Sequence, residues 1–296
     1  MENLNYAMVY SDQLAQAFPN ALNFGALYAT ENNGRFRFKG GKTIEIPVIH
    51  TTGRTASDRD SVDALSRNYE NSWEEKVLTN QRKWSTLIHP ADVDQTNYAA
   101  TIANITSVFN NEHKFPEMDA YTVSKIYNDW TNLGEDPVSL TITSENVLST
   151  FDDLMARMSE ARVPVSGRIL YVTPTVMKAL KNASAIGRSF DVKNGGDINR
   201  TVTTLDGVSV VEVPASLMRT VYDFDDGWNI SPDSLQISMM LIHPESVITP
   251  VSYEFACLDE PSASTGGKYV YYEESFEDVF VLANRANGIA FVVSNS

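Results

Sequence analysis

Apolar residues recur at two different spacings in this chain, and together these restrict it to folds that combine strands with helices. Between Arg35 and Val48 apolar and polar residues alternate, and a period of two predicts strands with one apolar face each. Gly40-Gly41 separates two alternating runs, which is typical of a hairpin turn because glycine reaches positive φ without steric cost. Further on, the spacing becomes that of one helix face. The apolar residues of that face are Val123, Ile126, Tyr127 and Trp130.

The alternating runs predict the first leg of a long hairpin. The polar span from Gly53 to Ser72 predicts its loop, and a return strand is expected from Glu75 to His89. Pro90 closes the return strand. Pro47 indicates an edge or an interruption in the first leg, because proline has no N–H to donate.

Two helices are predicted after the hairpin. The first runs for about twenty residues from Asp92 to Glu112, and Asp92 with Gln95 resembles a capping box. The second begins near Pro116, which suits a first helical turn, and ends at Gly134. We expect Pro116 to break the helix between the two.

The rest of the chain mixes both kinds of element and indicates an α+β fold. A third helix is predicted from a helical stripe of apolar residues. They are Val147, Phe151, Leu154 and Met158. A strand over Arg168 to Thr173 leads into a fourth helix at Pro174, and the last third of the chain is rich in strands.

Size and charge exclude several classes of protein. The chain has 296 residues and a formal net charge of -15, which argues against a nucleic-acid reader because such a protein needs a basic surface. No apolar run has the roughly 20 residues needed to cross a bilayer, and the N-terminus does not resemble a secretory signal. Cys257 is the single cysteine, so an internal disulfide is impossible and a reducing cytoplasm is expected.

No catalytic, cofactor-binding or metal-binding residues are predicted. Gly40 to Thr43 spells the end of a Walker A loop, but Phe36 stands where its first glycine is required and strands follow instead of a helix. The four histidines lack the spacing of a helical zinc pair and have no cysteine pair beside them. Adjacent carboxylates such as Asp152-Asp153 point apart, so they are not arranged to share a proton.

Positive charge is concentrated in the predicted hairpin. Residues 31–90 hold ten of the 23 Lys and Arg residues, whereas residues 91–296 hold thirteen against twenty-eight Asp and Glu. The hypothesis that follows is that the hairpin contacts the acidic body of another subunit. Solvent exposure alone and contact with DNA are the other interpretations. The candidate contact residues are Arg35, Arg37, Lys39, Lys42, Arg54, Arg59 and Arg67.

Four segments in a fixed order resemble the major capsid protein of tailed bacteriophages, the Hong Kong 97 type of shell subunit. They are the hairpin over 32–90, a long helix followed by FPEMDAY (Phe115 to Tyr121), RILYVTPTVMKAL (Arg168 to Leu180) with DGVSVVEVP (Asp206 to Pro214), and LIHPESV (Leu241 to Val247) with EDVFVLANRANGIAF (Glu277 to Phe291). The family's arginine before the aspartate near Asp278 is replaced here by Glu273 to Phe276.

The resemblance implies a Hong Kong 97-like division of the chain. It assigns 1–31 to an N-terminal arm, 32–90 to an extended hairpin loop, 91–139 to the spine helix and peripheral domain, 140–239 to the axial domain, and 240–296 to return strands of the peripheral domain.

The resemblance also implies a function. It predicts a structural protein, not an enzyme, that self-assembles as pentamers and hexamers into the icosahedral head and encloses double-stranded DNA. A scaffolding protein and the portal protein are the implied partners, with packaged DNA contacted non-specifically at most and no membrane. The expected location is the virion, after assembly in the host bacterial cytoplasm. An encapsulin-type nanocompartment shell and, more distantly, a cytosolic α+β enzyme are the alternatives.

Overall fold

The computed structural model describes residues 22–39, 42–54, 67–95, 101–183, 189–191, 197–199 and 202–294. The predicted arm over 1–31 therefore lies largely outside the described residues. Its last part forms a short helix α1 (Gly25–Tyr28) and a 3₁₀-helix (Glu31–Gly34).

The hairpin is a three-stranded sheet in which β1 (Arg37–Phe38), β2 (Thr43–Thr51) and β3 (Tyr69–Val77) pair in antiparallel order. The predicted return strand is wrong in its extent. It is two strands in different sheets, β3 and β4 (Gln81–Ile88), and β3 begins within the span predicted as loop. The sequence pattern hides this break because the chain stays extended on both sides of it.

A long helix follows the hairpin. The predicted helix from Asp92 to Glu112 is wrong in its extent, because α2 covers Pro90–Gln95 and Thr101 has an extended backbone that caps α3 (Ile102–Phe109). From α3 the helix continues through a π-helical turn (Asn110–Lys114) into α4 (Phe115–Asn132) without interruption. The prediction that Pro116 breaks the helix is wrong. The wide turn, in which the Phe115 N–H donates to the Asn110 carbonyl, lets the helix pass a proline that has no N–H.

The centre of the molecule is a six-stranded sheet with two layers of helices. Its order is β5 (Val138–Ser139), β18 (Ile289–Ser294), β13 (Gln236–Ile242), β6 (Ile169–Val172), β10 (Val208–Glu212) and β9 (Thr204–Leu205). The predicted strand and helix around Pro174 are confirmed as β6 and α6 (Pro174–Asn182), and the third helix as α5 (Val147–Glu160).

Alternate residues of the central strands point to opposite helices, as the pleat of a strand requires. Tyr171 and Phe291 pack with Trp130 and the rest of α4 on one face. Leu170 and Val292 pack with α5 and α6 on the other. The chain's last strand thus pairs inside the sheet that contains strands predicted for the axial domain, so the two predicted ranges share one sheet.

A second three-stranded sheet lies beside the long helix and has the order β15 (Val251–Asp259), β16 (Tyr269–Glu277) and β4. Three two-stranded pairs complete the described strands. They are β7 (Ser189–Asp191) with β8 (Asp197–Asn199), β11 (Tyr222–Asp223) with β12 (Asn229–Ile230), and β14 (Val247–Ile248) with β17 (Phe280–Val281). No helix in the described ranges is both long and apolar enough to cross a membrane.

Candidate assembly surfaces

One face of the hairpin exposes large apolar side chains. Thr51 pairs with Tyr69, Pro47 with Trp73 and Thr43 with Val77, so the odd-numbered residues of both strands share this face. Ile49 is 66% exposed and Val77 is 57% exposed. We call this the outer hairpin face, and its apolar members are Ile49, Tyr69, Trp73 and Val77. These side chains leave much of their apolar area unburied within their own chain, which favours a role in contact with something else.

The opposite face attaches the hairpin to the body. Ile44 and Ile46 are buried against Ile248, Phe276 and other residues of the neighbouring strands. From Pro47 outward most side chains of β2 are exposed. The hairpin therefore has a packed base and an exposed outer part.

Two of the predicted contact cations are already paired within the chain. Arg37 and Lys39 both form ion pairs with Glu45, at 2.7 Å and 3.0 Å, and Lys39 also binds Glu75. The Arg37 guanidinium lies 3.8 Å from the centre of the Trp73 ring. These pairs follow from the strand register, which places Arg37 and Glu75 on either side of Glu45. The positive charge of both cations is therefore largely neutralised in the single chain.

The other predicted cations lie at separate places. Arg35 donates to the Asn32 side chain at 3.1 Å, Lys42 lies 5.6 Å from the Phe276 ring, and Arg67 lies 4.4 Å from the ring of Tyr69. Arg54 is exposed at the outer end, and Arg59 lies outside the described residues. Among the described cations, Arg35, Lys42 and Arg67 each contact a different residue of their own chain.

The pairing of Glu45 predicts a measurable titration. Hydrogen bonds from Lys39, and then from Arg37, hold the pKa of Glu45 below its ordinary value. A carboxylate with a lowered pKa contributes stability above its unfolded-state pKa and loses that contribution as the pH falls through the folded-state pKa. We expect the carboxyl carbon of Glu45, followed by NMR, to titrate at a lower pH than in a Lys39→Met variant. Identical midpoints in the two proteins would show that the ion pair does not form.

The structure shows exposed apolar side chains that the charge pattern missed. Trp73 and Val77 alternate with Glu75, and this alternation is visible in the sequence. It was overlooked because the residues around it are polar. Trp84, which lies within the predicted return strand, belongs to β4 and stacks on Phe109 with ring centres 4.0 Å apart. It helps attach the sheet to the long helix.

A second exposed apolar surface lies on the β15–β16–β4 sheet. Phe255 pairs with Glu274 and Leu87 with Val270, so Phe255, Leu87 and their neighbours at steps of two point to one side. We call this the aromatic sheet face. Its members are Leu87, Tyr253, Phe255 and Tyr272, of which the first three are exposed. The opposite side is covered by the long helix through Trp84, and through the 3.1 Å ion pair of Lys114 with Glu273.

Asp119 on α4 fixes the point at which the arm leaves the body. Its carboxylate accepts hydrogen bonds from the backbone N–H groups of Asn23 and Phe24, both at 3.0 Å, and from the Asn23 side chain at 2.8 Å. Burial raises the pKa of Asp119, and the bonds from Asn23 and Phe24 oppose this shift. Three donors satisfy the hydrogen-bonding needs of this buried carboxylate, so Asp119 holds Asn23 and Phe24 against α4.

A charged side chain in one of the described clefts is already bonded to its neighbours. A cleft of about 590 Å³ contains Arg82, but this side chain is bound to Glu117 at 2.5 Å and to the carbonyl of Phe224 at 2.7 Å. Its polar groups thus bind one another. Within the described ranges, no group of three or more His, Cys, Asp or Glu side chains could hold a metal ion.

Solved structures with the same fold are phage capsids and heads. The capsid of cyanophage P-SCSP1u has a TM-score of 0.69 at 12% identity and covers 96% of this chain and 91% of that chain. The mature capsid of bacteriophage PhiM1 has a TM-score of 0.63 at 12% identity over 86% and 82% of the two chains. The head of Helicobacter pylori bacteriophage KHP40 gives 0.60 at 11% identity over 95% and 93%.

The likeness is one of structure. No protein-family model and no curated protein matches the chain. The α+β class is confirmed, and so is the resemblance stated from the sequence. This chain has the Hong Kong 97-like capsid fold.

Proposed function

We propose that this chain is the major capsid protein of a tailed bacteriophage and self-assembles into the icosahedral head that encloses double-stranded DNA. One observation carries the proposal: solved capsids and heads share its fold over nearly the full length of both chains. The outer hairpin face and the aromatic sheet face support it, because both leave apolar area open to a neighbour. The role is structural and not enzymatic.

The two exposed faces are different patches, and the proposal is that they take part in heterologous contacts between copies. One patch of each copy meets another patch of the next, and such contacts form a ring when the rotation closes. Pentamers and hexamers are the rings of the proposed shell. The division into arm, hairpin loop, spine and peripheral domain, axial domain and return strands belongs to this proposal.

The hairpin contact is proposed to be mainly apolar. Because Arg37 and Lys39 are neutralised by Glu45 and Glu75, the outer hairpin face brings little net charge to a neighbour. The remaining cations, Arg35, Lys42, Arg54, Arg59 and Arg67, steer the approach to an acidic body, since opposite charges affect association rates more than final affinity.

Salt separates the apolar contact from an electrostatic one. At about 1 M NaCl the Debye length is about 3 Å, so exposed charge pairs are screened while apolar burial is retained. We expect the particle yield to stay within about two-fold of its value at physiological salt, with the unfolding midpoint of the free chain as the control. A drop in particle yield of about ten-fold or more would show that the contact depends on the cations.

The remaining partners follow from the same proposal. A scaffolding protein guides assembly, the portal protein occupies one vertex, and packaged DNA is contacted non-specifically at most. The location is the virion, after assembly in the host bacterial cytoplasm. The net charge of -15 supports weak contact with DNA, because like charges repel.

The two alternatives have less support. An encapsulin-type shell would share the fold, but the structures reported above are phage capsids and heads. A cytosolic enzyme would need convergent reactive side chains, and the described clefts offer side chains already bonded to one another.

Sedimentation velocity of the purified chain, alone and with a co-expressed scaffolding protein, tests the proposal. Particles far heavier than a 32.9 kDa chain are expected in at least one of the two samples. A single small species in both, at concentrations where capsid proteins assemble, would contradict it.

A further inference from the structure

Besides its apolar base at Ile44 and Ile46, the hairpin meets the body at two points, and each is held by a buried polar side chain. The first foot is the 3₁₀-helix Glu31–Gly34, where Asn32 is 1% exposed. Its side-chain amide donates to the carbonyls of Glu245 at 2.5 Å and Val247 at 3.3 Å. Its side-chain oxygen accepts from Arg35 at 3.1 Å.

Arg285 strengthens the first foot from the body side. It reaches the Asn32 oxygen at 3.4 Å and also binds the carbonyl and the carboxylate of Glu245, at 3.0 Å and 2.7 Å. Asn32 thus connects the start of the hairpin to two separate segments of the body. An amide with every polar atom engaged has one preferred position.

The second foot is where the hairpin returns to the body, between β3 and β4. Asp278, also 1% exposed, accepts from the Thr79 backbone N–H at 2.7 Å and its hydroxyl at 3.2 Å. It also accepts from the Tyr121 hydroxyl and the Val279 N–H, both at 2.8 Å. Burial and the nearby Asp278 raise the pKa of Tyr121, so its hydroxyl keeps the proton it donates.

Beyond the feet and the packed base at Ile44 and Ile46, the hairpin has few contacts with the body. Side chains are buried up to Ile46 and become exposed from Pro47, and a cleft of about 370 Å³ lies between this part of the hairpin and Arg285. With only one foot bonded, the exposed part of the hairpin can rotate relative to the body. With both feet bonded, it keeps one direction.

We infer that Asn32 and Asp278 are positioning residues that fix the direction of the hairpin in the unassembled chain. The value of a fixed direction rests on the proposed function, because it presents the outer hairpin face to a neighbour without a further ordering cost. The inference itself concerns the single chain and needs no shell.

Distances between spin labels test it on the full-length unassembled chain. In a Cys257→Ser background, labels at Asn71→Cys on the exposed hairpin and Asp153→Cys on α5 report the hairpin's direction relative to the body. We expect one narrow distance distribution with both feet intact. In Asn32→Ala, and in Asp278→Asn, the distribution should widen by about two-fold or shift, because one foot is released.

A matched control is Gln236→Ala. The Gln236 amide also donates to backbone carbonyls, of Ala215 at 3.1 Å and Met218 at 2.7 Å, but it lies in the central sheet. It should leave the distribution unchanged. Tyr121→Phe removes one hydrogen-bond donor from Asp278. It replaces Asp278→Asn as the test of the second foot if Asp278→Asn does not fold.

Two results would overturn the inference. The first is that Asn32→Ala, and whichever of Asp278→Asn and Tyr121→Phe folds, both give the same distance distribution as the intact protein. The other is equal widening in Gln236→Ala, which would indicate general loosening. Failure of the unaltered chain to form shells would count against the proposed function and not against this inference.

Discussion

Replacing Ile49 and Tyr69 with serine is expected to reduce the yield of particles by about ten-fold or more while leaving the free chain folded. Both side chains are exposed in the single chain, so their loss removes no core packing. In the shell each would bury apolar area worth about 1.5–3 kcal/mol, and the loss recurs at every contact. Particle yield by sedimentation and the unfolding midpoint of the free chain are the two measurements.

The control for this prediction lies on the other face of the same strands. His50 and Glu70 are exposed, pair with each other and point away from the outer hairpin face. A chain with His50→Ser and Glu70→Ser should form particles at close to the original yield. If the Ile49→Ser, Tyr69→Ser chain assembles equally well, the outer hairpin face is not a contact surface.

Replacing Arg168 with methionine is expected to lower the free energy of unfolding by about 3–5 kcal/mol. Arg168 is buried, and its guanidinium donates to the carbonyls of Pro164 at 2.9 Å, Val163 at 2.7 Å and Met155 at 3.2 Å. Methionine fills a similar volume but removes the guanidinium donors from the carbonyls of Val163 and Pro164, whereas the Met155 carbonyl keeps the Ser159 hydroxyl at 2.8 Å. Chemical denaturation measures the change.

Arg157→Met is the matched control. Arg157 also lies on α5, but it is partly exposed and paired with Glu135. An ion pair of this kind is worth about 1 kcal/mol or less. If Arg168→Met destabilises the chain no more than Arg157→Met does, the buried guanidinium does not hold the end of α5 to the following loop.

Much of the fold follows from apolar periodicity. The stripe over Val147 to Met158 and the strand before Pro174 are predicted by spacing and are present, because burial of one face decides such elements. The passage of the long helix through Pro116 was not predictable, since the π-helical turn depends on local geometry and not on composition.

The charge pairing of the candidate contact residues was harder to predict from the sequence than the helices and strands. A count of charges made Arg37 and Lys39 free cations, but the strand register brings Glu45 and Glu75 beside them. Register is set by turns and packing and is not visible in local composition. The buried positions of Asn32, Arg168 and Asp278 have the same origin, because their acceptors and donors come together only after the chain has folded.

Electron cryo-microscopy of the assembled protein, produced alone and with a scaffolding partner, tests the central claim most directly. The account predicts closed shells with fivefold and sixfold clusters, in which the outer hairpin face of each copy is covered by a neighbouring copy. Isolated chains in both preparations, or shells in which that face points into solvent, would contradict it.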